Sequence, residues 1–536
     1  MGNTQKKRVA GAALIVMSAL ALSRVTGFLR STFIPNLIAD KHQTDAFFMS
    51  FRITDFMYNL LLGGAISAAL IPVLTGYIAK KEEEDGWKAV GTFINVTFIG
   101  MTIISLLGII FSPQIVNFMA PRFDAQTKAL TVTCTRILFP SVAFIMLAGL
   151  MNGVLNSYQR FAAAAYGPSL YNVGSAISIL LLGRYGVEKV VTGIMCSAAV
   201  YFLFQLSFAF RNLKYYRFRI HIKHSGFIRL YKLAIPSFLS SAIYQINVLV
   251  SSYFTALLTA GSVSAYTMAN DVWQMPFGIF AVGIGTALLP SLSEKLALKD
   301  VDGYKNLLVK GLKSVSFFTI PSAVGIVALN KPIINAIYKW TDGIDRVLLS
   351  ETGKILLFFS IAVISHSMLA IINRAFYASN DTKTPLYVGV GTIFLTAVLN
   401  YTFINMTNLH AAGMSLSYSI ASILNVVILT SILNKRMKGL GLDKVFTFMG
   451  KIAFAAIIMG VVLFLINNAL PVQYTGKIST YGKSKELLIL FGEVTLGVLT
   501  YFTMVTVMRI EEATYTLNKI KGKVHSFYKK LFGRDR

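Results

Sequence analysis

Residues 10–33 read AGAALIVMSALALSRVTGFLRSTF. A bilayer core takes about 20 predominantly apolar residues per helix, and this run supplies them with two exceptions, Arg24 and Arg30. The run continues past any plausible signal-peptide core and meets no clean processing site, so it reads as a retained span. Counted from residue 10 at 1.5 Å per residue, Arg24 lies about 21 Å along the helix, beyond the midplane of a ~30 Å core. An Arg exposed to lipid at that depth costs roughly 2.5 to 3.5 kcal/mol, and snorkelling back is difficult, which points to a polar cavity.

Runs of the same kind recur near 46–76, 88–112, 128–155, 161–182, 188–209, 227–258, 262–293, 308–327, 351–377, 385–405, 409–433, 446–466 and 487–508. The chain therefore reads as an all-alpha polytopic membrane protein with 14 transmembrane helices. Its composition agrees: 55% of the 536 residues are hydrophobic and 14% charged, against about 25% charged in soluble domains. Cys134 and Cys196 lie inside apolar runs and read as small buried hydrophobes without a disulfide framework.

Lys and Arg fall nearly three to one on the side that holds both termini, which makes that side cytoplasmic. The net charge of +27 thereby finds a membrane explanation and gives no reason to invoke nucleic acid. Arg211 to Lys232, a strongly basic stretch, is expected to sit against anionic membrane lipids, as is the tail, where Leu517, Ile520, Val524, Phe527 and Leu531 keep helical spacing among lysines. Within the first stretch Phe218, Ile220 and Ile222 alternate with Arg219, His221 and Lys223, the period of an extended segment lying on head groups.

An internal repeat organises the spans. Ala68-Ala69-Leu70-Ile71-Pro72 returns as Thr286-Ala287-Leu288-Leu289-Pro290, and Pro168 with Leu170-Tyr171 returns as Pro385 with Leu386-Tyr387 at nearly the same offset. Two parallel six-helix lobes plus two additional helices follow, because each lobe holds an even number of spans. The expected divisions are an N-terminal lobe at 1–210, a basic cytoplasmic linker at 211–226, a C-terminal lobe at 227–433, two further spans at 434–508 and a basic amphipathic tail at 509–536.

Polar residues inside the spans point to function. Arg24, Arg30 and Arg52 face few acids: Asp45 and Asp55 near the start of the second span, Asp271 in the eighth and Glu493 in the fourteenth. Two readings stand side by side. Either these arginines pair with acids to fix packing, or they form an outward-facing site for a phosphate or pyrophosphate, to which planar guanidinium donors are matched. Asp271 likewise reads as an exchanging partner of a cavity arginine or as a fixed packing acid. No phosphate-binding Gly-rich loop, zinc-protease motif or close-spaced cysteine pair is present, so the chain carries no sign of an ATPase or a catalytic centre. His366 reads as a packing residue. A membrane scaffold would have no use for Arg24.

Ser23-Arg24-Val25-Thr26-Gly27-Phe28-Leu29-Arg30, Thr44-Asp45-Ala46-Phe47-Phe48, Phe51-Arg52 and Ala69-Leu70-Ile71-Pro72 together resemble the signature region of the MurJ (MviN) lipid II flippases, of the multidrug/oligosaccharidyl-lipid/polysaccharide exporter superfamily. The likeness continues through Asn156-Ser157-Tyr158-Gln159-Arg160-Phe161, Arg374-Ala375-Phe376-Tyr377-Ala378 and Asp381-Thr382-Lys383-Thr384-Pro385. It implies a fourteen-helix flippase in the bacterial cytoplasmic (inner) membrane that carries undecaprenyl-pyrophosphate-linked peptidoglycan precursor outward by alternating access. It further implies substrate-binding roles for Arg24, Arg30 and Arg52, auxiliary cavity or gating roles for Ser23, Asp45, Asp271 and Gln274, and a lipid-tail groove at the last two spans. No cofactor is implied; an ion gradient or the membrane potential is the expected drive, and cell-wall synthesis proteins are admitted as partners. Another polysaccharide-lipid flippase or a multidrug exporter of the same superfamily is the alternative. The chain departs from the family at Asn270-Asp271-Val272-Trp273-Gln274, where an acid stands at the usual arginine and Gln274 at the usual acid. The family's sodium site also matches poorly, with only Asn247 and Asn400 offering comparable groups.

Overall fold

The computed structural model describes residues 22–23, 26–38, 40–62, 69–469 and 480–510. These are predominantly helical, with no strand among the described residues. Hydrocarbon offers the backbone no partner, so a spanning segment must close its hydrogen bonds within itself. Among the described residues, ten helices are long and apolar enough to cross a membrane.

The first helix, α1, covers 26–37, and α2 (Lys41–Leu62) follows after a short turn. Two helices lie on the expected span 46–76, α2 up to Leu62 and α3 (Ile71–Ala79) with Pro72 near its start; residues 63–68 between them lie outside the described residues. Then come α4 (Glu83–Met119), α5 (Ala125–Ser157), α6 (Phe161–Leu182), α7 (Val187–Ala209) and α8 (Ser225–Ala256). The eighth expected span is a single element of changing pitch: α9 (Ser262–Pro276), a π-helical stretch Phe277–Val282 and α10 (Gly283–Ala297). Beyond it lie α11 (Val301–Ala328), α12 (Asn330–Tyr338), α13 (Arg346–Ala378), α14 (Lys383–Met406), α15 (Ala411–Arg436), α16 (Leu442–Ala469) and α17 (Thr480–Val507). The expected amphipathic helix at 517–531 lies outside the described residues.

Two compact units emerge, one drawn from Met1–Met268 with Gly343–Leu348 and the other from Ala269–Asp342 with Leu349–Arg536. In the first, α5 packs against α2, α4 and α7, and α8 joins α2 and α4. Gly108 permits the close passage of α4 over α5, since a Cβ there would stand 2.2 Å from the Phe139 ring. Cys134 is buried in this interior, whereas Cys196 is exposed on α7 along with Val200 and Leu203; the expectation that both cysteines are buried fails for the second.

Polar contacts of the first unit gather at two rims. At one, His42 Nδ1 meets Asp124 Oδ2 at 3.0 Å, Asp124 accepts from Thr127 N to cap α5, Arg122 donates to the Leu257 carbonyl, and Gln43 Oε1 accepts from Val187 N. At the other, Trp87 donates to Tyr158, Tyr158 to Glu83, and Lys214 and His224 pair with Glu83 and Asp85. Helix α4 runs from one rim to the other, 37 residues or about 55 Å.

In the second unit, α11 packs on α10 and α16, α14 on α15, and α17 on α16. Asp381 caps α14 by accepting from Thr384 N at 2.9 Å and Thr384 Oγ1 at 2.6 Å, and it pairs with Arg436 at the end of α15. Burial by itself raises the Asp381 carboxyl, but these donors outweigh it and hold the group at about 2. Its stabilisation is therefore complete above the ordinary carboxylate value of 3.8 and is lost as pH falls toward 2. Asp381→Ala is expected to cost about 1 to 2 kcal/mol. Melting of the purified protein should show a clear deficit at pH 7 that narrows at pH 3; a deficit independent of pH would contradict this account.

Candidate functional site

Helix α1 carries polar residues through an apolar run by returning their side chains to its own carbonyls. Thr26 Oγ1 donates to Leu22 O, Thr32 Oγ1 to Phe28 O and Asn36 Nδ2 to Thr32 O. Arg30 is left to reach sideways. Its guanidinium stands 5.2 Å from the centre of the Phe51 ring on α2 and interacts with the Tyr171 hydroxyl of α6, on which Asp55 also acts. Ser23 receives Asn172 Nδ2 at 3.1 Å on both its carbonyl and its hydroxyl, so α6 also fixes the chain next to Arg24. Arg24 itself lies outside the described residues.

Asp45 and Arg52 are seven residues apart on α2, which places them on nearly the same face and about 10 Å apart along the axis. That face meets α9. Asp45 is 1% exposed and accepts from Gly261 N at 2.6 Å, from Ser264 N at 2.9 Å and from Ser264 Oγ at 2.5 Å. Gly261 adopts φ +93°, a left-handed turn that suits glycine and aims its N–H at the carboxylate. The first N–H groups of a helix have no partner within it and carry the positive end of its dipole, so a carboxylate supplied by another helix meets both needs. Two turns further along α2, Arg52 Nη2 is 3.5 Å from Thr267 Oγ1, whose hydroxyl donates to Val263 O. The arrangement is a carboxylate latch at the end of α9 with a weakly engaged guanidinium beneath it.

The sequence places Arg30, Arg52, Asp45 and Ser23 in one functional group, and the structure brings their helices α1, α2, α6 and α9 together within the first unit. Asp271 and Gln274 lie further along α9 in the second unit, both partly exposed, and the Asp271 charge acts on Tyr338 of α12. His366 is set among Trp273, Phe277 and Tyr418, with its Nδ1 3.2 Å from the Tyr418 hydroxyl. Asn400 is fully buried, and neither its amide oxygen nor its nitrogen has a hydrogen-bond partner among the described residues.

Sequence reasoning passes over Tyr171, Asn172, Ser264 and Thr267. Asn172 had a signal, as an amide in the middle of the apolar run 161–182. Ser264 and Thr267 had none, because serine and threonine are routine in membrane helices, where they bond to their own backbone.

The fold is that of a multi-span transporter. A solved multidrug resistance MATE family transporter of the MOP superfamily, in its inward-facing conformation, superposes with a TM-score of 0.65 at 14% identity, over 80% of this chain and 98% of that one. A structure described as lipid II flippase MurJ, inward closed conformation, superposes with a TM-score of 0.75 at 24% identity, over 92% and 98%. In sequence, the probable lipid II flippase MurJ of Buchnera aphidicola subsp. Acyrthosiphon pisum is 28% identical over 504 residues, 93% of this chain and 97% of that protein. The family described as lipid II flippase MurJ matches residues 34–480, and the chain belongs to that family.

Removing the latch acceptor leaves three buried donors unpaired. Asp45→Ala is expected to lower the melting temperature well beyond Ser264→Ala, by roughly 2 to 3 kcal/mol against about 1 kcal/mol. The double variant should melt close to Asp45→Ala alone, because the serine hydroxyl has then already lost its acceptor. Strictly additive losses would show that the two side chains do not act as one unit.

Proposed function

We propose that this chain moves lipid II, the undecaprenyl-pyrophosphate-linked peptidoglycan precursor, from the inner to the outer leaflet of the bacterial cytoplasmic membrane by alternating access. The observation that carries the reading is the pairing of family membership with two arginines, Arg30 on α1 and Arg52 on α2, that are held by an aromatic face and by hydroxyls. A pyrophosphate presents several anionic oxygens, and guanidinium groups offer donors in a matching planar fork. Arg30 and Arg52, with Arg24, supply them. Among the described residues Arg52 meets a neutral hydroxyl at the limit of hydrogen bonding, and Arg30 meets an aromatic face and the Tyr171 hydroxyl. Both can exchange these contacts for phosphate. A basic lining also favours an anionic lipid over the cationic substrates expected of a drug exporter.

In this reading fourteen spans form two six-span lobes and two further helices that take the prenyl tail, with the divisions at 210, 226, 433 and 508 and both termini cytoplasmic. The Asp45 latch belongs to the outer rim and is released when the carrier opens outward. An ion gradient or the membrane potential supplies the drive, and Asp271 and Gln274 adjust the cavity where the family usually has an arginine and an acid.

The test replaces the resident flippase of a bacterium with this gene under depletion and follows outer-leaflet exposure of labelled lipid II. Arg52→Ala and Arg30→Ala are expected to reduce exposure at least tenfold with membrane insertion intact, and the Lys variants to restore part of it, since charge returns without the fork. Translocation at the wild-type rate by a well-folded Arg52→Ala, Arg30→Ala double variant would overturn the assignment.

A further inference from the structure

The segment between α7 and α8 is not a passive linker. Asn95 Nδ2, on α4, donates to the carbonyls of Arg217 at 3.2 Å and Arg219 at 2.9 Å, Tyr216 donates to Asn95 Oδ1 at 2.6 Å, and His221 N donates to Thr92 Oγ1 at 2.9 Å. Four bonds thus hold an extended strip against the first turns of α4. The strip borders a cavity of about 180 Å³ lined by Glu84, Trp87, Lys88, Tyr215, Arg217, Arg219 and His221.

The period of two now has a direction. Arg217, Arg219 and His221 line the cavity, while the alternate residues Phe218, Ile220 and Ile222 are 63%, 43% and 63% exposed. The anchors Thr92 and Asn95 lie about 13 to 18 Å along α4 from Glu83, where the apolar part of that helix begins. An exposed apolar row at that level borders the acyl region of a bilayer, and the basic row beside it sits at head-group height. Neither Arg217 nor Arg219 pairs with a carboxylate among the described residues; Arg217 turns to backbone carbonyls, and Lys88 has a single exposed contact with Asp85 at 3.4 Å. Glu84 is the one acid of the lining, against three cations.

We propose that this cavity is a binding site for the phosphate head group of an anionic membrane phospholipid. Arg217, Arg219 and Lys88 take the phosphate, Trp87 and Tyr215 wall the glycerol end, and Phe218, Ile220 and Ile222 lie along the acyl chains. The site is separate from the arginines of the transport path, and its occupancy is measured without transport.

The test uses the full chain, delipidated in neutral detergent and offered equal amounts of phosphatidylglycerol and phosphatidylcholine, with bound lipid counted by native mass spectrometry. Wild type is expected to retain one phosphatidylglycerol in preference to phosphatidylcholine. Arg217→Gln with Arg219→Gln should weaken that retention about tenfold or more, while Lys310→Gln with Lys444→Gln, the same charge loss elsewhere, leaves it unchanged. Asn95→Ala keeps every charge but removes three of the four bonds that anchor the strip, and should weaken retention as well; circular dichroism and melting establish that each variant is folded. Sodium phosphate in the same millimolar range should not displace the lipid, because it makes no use of the apolar row. Equal retention by the Arg217→Gln, Arg219→Gln protein overturns the site, and displacement by sodium phosphate alone overturns the lipid as its occupant.

Discussion

A backbone inside hydrocarbon must satisfy its own hydrogen bonds, and the organisation of this protein follows from that constraint. It makes every described spanning segment a helix and moves the unpaired N–H and C=O groups to helix ends. The first unit therefore concentrates its polar chemistry in two rims roughly 55 Å apart along α4, joined by helices whose serines and threonines bond to their own carbonyls. A polar side chain between the rims either turns inward on its own helix or meets another helix. Among the described residues, Arg30, Arg52, Asp45 and Asn172 meet other helices around the candidate site, while Ser105, Arg136, Asn152 and Gln205 reach the backbone of a neighbouring helix elsewhere in the unit.

Much of this was legible. Charged residues in apolar runs are costly enough to be informative wherever they occur, and Arg30, Arg52 and Asp45 declared themselves in that way. What could not be read was the partner of Asp45. The donors to Asp45 are the main-chain N–H groups of Gly261 and Ser264, and a backbone amide carries no identity in the sequence. The π-helical stretch after Pro276 leaves no hydropathy signal. The alternation at Phe218 to Lys223 was visible as an extended segment, but the anchoring amide, Asn95, lies more than 120 residues earlier.

Two positions on α2, Asp45 near its start and Arg52 at its middle, contrast in their use of charge. Asp45 is enclosed, with three donors on two oxygens, and this kind of buried, fully satisfied carboxylate gives a geometry that is either made or broken. Arg52, about 10 Å away on the same face, has one marginal contact to a hydroxyl. Under the proposed role of Arg52 in substrate binding, a fixed ion pair there would have to be broken for each substrate bound, whereas its hydroxyl partner is easily exchanged. Binding strength that is equal in every state of a carrier does not speed its cycle, so a loosely held guanidinium next to a tightly held carboxylate separates the two demands of recognition and switching.

That separation constrains how substrate could act on the latch. A ligand shifts an equilibrium between two arrangements only by the difference in its affinity for them, and moving a population from mostly one state to mostly the other takes about 5 kcal/mol. Three hydrogen bonds to a charged acceptor, at about 1.5 to 3 kcal/mol each before the cost of burying the carboxylate, are of the size that such a difference would have to offset. The contacts of Arg52 cannot supply that alone, because it gives up only a weak bond to Thr267. A pyrophosphate that drew in Arg30 as well would act on α1 and α2 together, and Arg30 leans on the same helix, through Phe51, that carries Asp45. If Arg30 and Arg52 bind the anion as proposed, its coupling to the latch would run along α2, with Phe51, Arg52 and Asp45 as the points of attachment.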